Sequence, residues 1–191
     1  WDGHDFTLTE PYAAVSHRFG ANKGFHFIPS AGTRYYDHSD FDGKWAPHAG
    51  LIIGYADVSF HAGYSRGVIY PGLDVVVFSE EVIPPLALSW KELDPEVVDH
   101  YEAGVSCRFG KTAKADLTYF YNDGEDRYVI VPPPPPPPVY ANVETYATKG
   151  MEASLQVYPT DDLSVFLGAT VLDTDPEDLP YAPELTASTG V

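Results

Sequence analysis

Along residues 100–109 apolar and polar side chains alternate without a break. Tyr101, Ala103, Val105, Cys107 and Phe109 hold one parity, and His100, Glu102, Gly104, Ser106 and Arg108 hold the other. A period of two is that of a β-strand with one apolar face. The polar link Gly110 to Lys114 interrupts it, and it resumes with Ala115, Leu117, Tyr119 and Tyr121 against Asp116, Thr118, Phe120 and Asn122. Two long strands joined by a tight turn predict a hairpin. A half-buried sheet in a soluble sandwich would carry the same alternation. Runs of about ten residues, however, exceed the common strand of about five or six and suit a tilted strand that crosses a bilayer.

The same pattern recurs along the chain. It predicts strands from Glu10 to Gly20, Gly24 to Tyr36, Lys44 to Ala56, Val58 to Tyr70, Ala141 to Tyr158 and Leu163 to Val171, with a last strand opening at Leu185. Residues 1–9 show no period and read as a loop or a strand end. Short turns fall near 21, 56, 111 and 160, and longer connections near 40, 80, 132 and 177, in regular alternation. A transmembrane barrel has this sidedness, with short periplasmic turns and long extracellular loops, and closure leaves no open edge. Phe19, Tyr55, Phe109 and Tyr158 fall beside the short turns as one aromatic girdle. Tyr35, Tyr36, Tyr70, Trp90, Tyr128 and Tyr140 fall at the opposite ends as the second.

Composition sharpens this picture. The 191 residues are 14% aromatic, with 14 Tyr, and contain one Cys and one Met. No apolar run is long enough for a membrane-spanning helix. With a formal charge of −17 and only 11 Lys and Arg, the chain offers little to displace counterions from phosphates, which argues against a nucleic-acid partner. Cys107 has no disulfide mate and sits at an apolar parity as a small core-type residue. The run Pro132 to Pro138 cannot join a ladder and reads as a stiff polyproline II spacer rather than a docking motif.

The run LDPEVVDHYEAGVSCRF, the acidic loop after the next strand, the later YATKGMEASLQVYPTDDLSVFLGATVLDTD and the closing PYAPELTASTGV resemble the β-barrel domain of TonB-dependent outer-membrane receptors. YYDHSDF and YSRGVIYPGL are similar to strand ends of that family. The resemblance implies an all-β transmembrane antiparallel barrel, of which residues 1–191 supply about nine strands of about 22. It implies further that a signal peptide, a plug and the final strands lie outside the chain. It implies a receptor in the bacterial outer membrane that binds a scarce nutrient, foremost a ferric siderophore. Uptake would be driven by the inner-membrane TonB complex acting through the plug. The partners so implied are outer-membrane lipid, that complex and a small metal chelate.

Two readings of other classes share part of this pattern: a passive porin shares strands and loops, and a secreted β-sandwich or adhesin shares the alternation. Catalysis has no support, because neither a nucleophile elbow, a zinc-binding H-E-x-x-H nor a phosphate loop occurs. Asp37, His38, Asp40 and Asp42 supply metal-ligand types but miss the spacing of a calcium loop, so no metal site and no cofactor are expected. The ligand-binding candidates are Tyr36, Asp37, His38, Tyr70, Asp74, Trp90, Asp126 and Tyr128, all in the long connections or at their strand ends. An acidic mouth is expected from Asp74, Glu80, Glu81, Asp123, Glu125, Asp126, Asp173, Asp175, Glu177 and Asp178. His100, Glu102, Arg108, Asp116, Glu152 and Gln156 share the polar parity of their strands and are expected to face the lumen.

Overall fold

A computed structural model of the chain describes residues 5–21, 24–83, 86, 89–131, 138–143, 145–160, 162–177 and 182–191, without the side chains of Glu80 and Val143. The polyproline expectation for 132–137 and the contribution of Asp178 to the mouth therefore lie outside the described residues.

The alternating segments form one antiparallel meander. Its long strands are β4 (His26–His38), β5 (Lys44–Tyr55), β6 (Val58–Ile69), β7 (Glu96–Phe109), β8 (Ala113–Glu125), β11 (Tyr146–Thr160), β12 (Leu163–Asp175) and β13 (Leu185–Gly190). Each pairs with the next in that order. Ahead of them β1 (Leu8–Thr9), β2 (Tyr12–Ser16) and β3 (Phe19–Gly20) all pair with β4, as one interrupted strand. The sheet is open in the described residues, with the β1–β3 segment and β13 at its two edges.

Most strands begin and end where the alternation places them, because the period of two ends where Gly, Pro and Asp cluster. Two tight turns carry left-handed residues, Ala56 (φ 51°) between β5 and β6 and Gly110 (φ 58°) between β7 and β8. The expected strand from Ala141 to Tyr158 is two elements. Val139–Val143 is β10, paired with β9 (Arg127–Val131) in a separate hairpin, and only β11 returns to the main sheet. Apolar residues continue through both pieces, so alternation alone does not reveal the change of partner. Asp126, at φ 61°, makes the corner between β8 and β9.

All four short turns lie at one end of the sheet and all four longer connections at the other. The 39–43 connection is the shortest of the latter. The 70–95 connection holds α1 (Leu73–Val77), a π turn at Phe78–Val82 and a 3-10 turn at Ser89–Glu92. No helix in the described residues is long and apolar enough to cross a membrane, which says nothing about crossing by strands.

Burial is distributed unlike that of a soluble sheet protein. Apart from Ala46, the buried apolar residues Phe41, Val75, Val76, Leu86, Trp90 and Leu93 all lie in the connections. Among the described residues the sheet's apolar face is not covered: Phe60, Phe109 and Val171 remain more than half exposed on it.

Candidate ligand-binding site

Register turns the two parities into two continuous surfaces. On the polar face one register line runs Gly32, His48, Ser65, His100, Asn122, Thr148 and Thr174 across six strand pairings. His100 Nδ1 lies 2.6 Å from Asn122 Oδ1, and Asn122 Nδ2 donates to Thr148 Oγ1 at 2.8 Å. Toward the short turns Asp116 accepts from Ser106 Oγ at 2.5 Å and Ser154 Oγ at 3.3 Å, and pairs with Lys114 Nζ at 2.9 Å. Glu152 stands between Thr118 and Thr170 on the neighbouring strands. Arg108, Lys114 and Gln156 share the line nearest the turns. All six residues expected on the polar face, His100, Glu102, Arg108, Asp116, Glu152 and Gln156, thus lie on one side of the sheet. A cavity of about 390 Å³ opens there among His48, His61, Ser65, His100 and Glu102.

At the loop end three connections share one small core. Phe41, Val75, Val76, Trp90 and Leu93 are buried together, and Phe6, Tyr70, Tyr128 and Tyr140 pack around them. Phe41 meets Trp90 edge-on at 6.1 Å, and His38 stacks on Tyr70 at 4.7 Å with 18° between the rings. Polar contacts bind the β9–β10 hairpin to the 70–95 connection. The Asn142 carboxamide accepts from Asp94 N at 2.7 Å and donates to the carbonyls of Asp94 at 2.9 Å and Asp126 at 2.5 Å. Tyr140 N donates to Ser89 Oγ at 3.0 Å. This clamp uses three bonds of one amide.

The ligand candidates separate in this arrangement. Tyr36, His38, Tyr70, Trp90 and Tyr128 converge on the aromatic core or its margin. Trp90, at 0% exposure, is its centre and meets no solvent. Tyr70 donates to Asp42 O at 3.0 Å. Tyr36 lies at the polar-face parity of β4, with Arg34 over its ring at 5.7 Å and Lys44 opposite in register. Asp37 is exposed at the opposite parity, away from the polar face. Asp74 is exposed beside Tyr128 and Tyr140, and Asp126 sits half-buried at the hairpin corner. Burial, with Asp74 and Glu96 nearby, pushes the Tyr128 phenol up, and burial with Asp74 does the same to Tyr140. Burial, reinforced by its 2.6 Å bond to Glu96 Oε1, also raises Tyr146. These phenols stay protonated at neutral pH, and that of Tyr146 donates to Glu96. Among the described residues no three His, Cys, Asp or Glu side chains gather as a metal site.

The expected outer girdle is kept only in part. Tyr70, Trp90, Tyr128 and Tyr140 belong to the loop core, whereas Tyr35 stays on the sheet against Trp45 at 4.8 Å, and Tyr64, Tyr101 and Tyr121 form a row at 5.1 and 6.3 Å; Trp45 and Tyr101 are exposed and the other three half-buried. Asn142 and Ser89 were not legible as site residues. Their roles depend on contacts 48 and 51 residues away in sequence.

A wide antiparallel sheet with one polar and one apolar face, tight turns at one end and interlocked connections at the other defines a segment of transmembrane barrel wall. A model of the "TonB dependent receptor-like, beta-barrel" family matches residues 5–191, and the chain belongs to that family of outer-membrane transport receptors. Among solved structures it is similar to the siderophore receptor PirA from Pseudomonas aeruginosa, with 24% identity and a TM-score of 0.66 over 88% of this chain and 32% of that one. PirA from Acinetobacter baumannii gives 15% and 0.69 over 95% and 31%. The FrpB iron transporter from Neisseria meningitidis (F3-3 variant) gives 14% and 0.63 over 96% and 30%. The chain spans about a third of the length of each, and at these identities the likeness is one of fold. No curated protein matches the chain.

Proposed function

We propose that this chain is part of the barrel wall of an active-transport receptor in the bacterial outer membrane, which takes up a scarce nutrient, foremost a ferric siderophore. The carrying observation is the apolar face. No charged residue occupies its parity from Phe27 to Tyr35, Trp45 to Tyr55, Val58 to Tyr64, Tyr101 to Phe109, Ala113 to Tyr121, Met151 to Val157 or Val165 to Val171. From Tyr101 to Phe109 such a band measures about 26 Å along the strand, near the height of an outer-membrane apolar belt once tilt is allowed for. In water this face would be a large aggregation surface; in lipid it needs no cover.

On this reading the polar face lines the lumen of a barrel of about 22 strands. His100, Glu102, Arg108, Asp116, Glu152 and Gln156 then hydrogen-bond a plug, which the inner-membrane TonB complex pulls during uptake. The loop end is extracellular. There Tyr36, Tyr70, Asp74, Asp126 and Tyr128 offer ring faces, phenol donors and carboxylates to a metal chelate, with Trp90 supporting them from behind. The solved neighbours' names, a siderophore receptor and an iron transporter, favour an iron-bearing ligand.

The test is uptake of labelled iron, supplied as a panel of ferric siderophores, by iron-starved cells with the gene intact or deleted and with TonB present or absent. Uptake of one chelate that needs both genes is expected. Uptake that persists without TonB would replace active transport with passive diffusion through a porin.

A further inference from the structure

Directly above the uncharged band, the apolar face changes character within one register step. The line Tyr64, Tyr101, Tyr121, Lys149 and Asp173 crosses β6, β7, β8, β11 and β12. The next line toward the loops is Arg66, Asp99, Asp123, Ala147 and Asp175. Arg66 is held by Asp99 in a two-pronged pair, through Nε at 2.8 Å and Nη2 at 2.7 Å. Lys149 is placed differently. Among the described residues its ammonium makes one ion pair, to Asp173 Oδ2 at 3.0 Å, and both side chains are more than half exposed. An ammonium carries three donors, so two remain for another acceptor.

Around Lys149 lies a cavity of about 240 Å³ formed by Tyr121, Ala147, Lys149, Asp173, Thr174 and Asp175. Beneath it the register line Tyr119, Met151, Val171 and Leu185 presents apolar side chains that are 48, 47, 57 and 66% exposed. The cavity therefore joins one cation, two carboxylates and, beneath them, an apolar wall at the height where a tyrosine row marks the edge of the lipid.

We propose that this cavity seats the headgroup of an outer-leaflet lipid that carries both a phosphate and a primary amine. The phosphate takes the free donors of Lys149. The amine faces Asp173 and Asp175, and the acyl chains run down over Met151, Val171 and Leu185. Charge complementarity selects this class: a purely anionic headgroup meets more carboxylates than cations here, and a quaternary ammonium offers those carboxylates no N–H donor. The proposal rests on the reading of the apolar face as lipid-facing.

The test is native mass spectrometry of the purified full-length receptor, offered phosphatidylethanolamine, phosphatidylglycerol and phosphatidylcholine in equal amounts. Retention of phosphatidylethanolamine is expected to exceed that of the other two by roughly fivefold, the scale of one good exposed ion pair. Lys149→Gln and Asp175→Asn should each reduce that preference, and Lys111→Gln at a short turn should leave it intact. Equal retention of the three lipids, or an unchanged preference in both site variants, overturns the proposal. A receptor that inserts into liposomes yet shows no preference overturns the site alone, and one that fails to insert overturns the membrane reading as well.

Discussion

Arg66 and Asp99 face each other across β6 and β7 in a two-pronged ion pair, Nε to Oδ1 at 2.8 Å and Nη2 to Oδ2 at 2.7 Å, and Tyr64 donates to the same Oδ1 at 2.8 Å. The pair sits one step above the tyrosine row, where the uncharged band ends. Two parallel charge-assisted bonds hold the strands in one register at the point where, on the proposed reading, lipid gives way to water. Asp99→Asn should lower stability by about 1–2 kcal/mol, more than a lone surface pair, because it removes the negative charge and turns one of the two acceptors into an NH2 donor facing the guanidinium. Urea unfolding of the refolded full-length receptor, followed by heat-modifiability on gels, measures this.

Trp90 and Asn142 hold the loop end together by different means. Trp90→Ala removes the centre of a core that three connections share, and truncations of this kind cost about 3–5 kcal/mol. That core is separate from the sheet, so the loss should appear as rapid proteolysis within 70–95 and 126–145 while the barrel keeps its heat-modifiable migration. Asn142→Ala should expose the same segments to a lesser degree, since Phe41, Val75 and Leu93 remain in contact. Concerted unfolding of the strands in either variant would contradict this separation.

His38 makes the loop core sensitive to acid. Burial holds its imidazole below the ordinary value of 6.5, against the opposing pull of Asp40. Its Nδ1 accepts from Asp40 N at 3.1 Å, a bond that protonation there abolishes. Because the folded value is depressed, the contribution to stability is present above 6.5 and is lost as pH falls through the folded value. The hydrogen-exchange protection factors of residues 39–43, with the intrinsic pH dependence of amide exchange divided out, should therefore fall between pH 7.5 and 5, and His38→Gln should flatten that response. An identical fall in the variant would assign the effect to the surrounding carboxylates.

Gly104 sits where β7 and β8 approach closely on the polar face. A Cβ there would lie 2.6 Å from the Leu117 carbonyl oxygen and 2.7 Å from Thr118 Oγ1, and would collide with the His61 ring. The carbonyl belongs to the ladder and cannot move away. Gly104→Val should cost about 1–3 kcal/mol by overpacking and lower the refolding yield. Gly110→Ala should cost little by contact, since open space surrounds it, but pays for its left-handed φ of 58°.

Strand positions, the hand of each parity and the short–long rhythm of the connections were legible in the sequence. The period of two is a local property of the chain, and punctuation by Gly, Pro and Asp is local too. The residues that do not alternate were the harder part. In the 70–95 connection Trp90 looks like a girdle or ligand contact, and Val75 and Val76 show no period that assigns them a face, until their partners are known. Their burial against Phe41 and Tyr128 joins segments that are far apart in sequence.

The amino-acid sequence by itself determined that this chain forms long two-faced strands with an anionic surround, because each residue's parity and charge need no partner to be read. Only the tertiary structure decided which residues stand side by side. Register aligned His100 with Asn122 and Lys149 with Asp173, moved Val139–Val143 out of the main sheet into its own hairpin, and drew Trp90 inside. Cross-strand neighbours are set by pairing between distant segments, and a one-residue slip would leave every strand in place while exchanging its two faces.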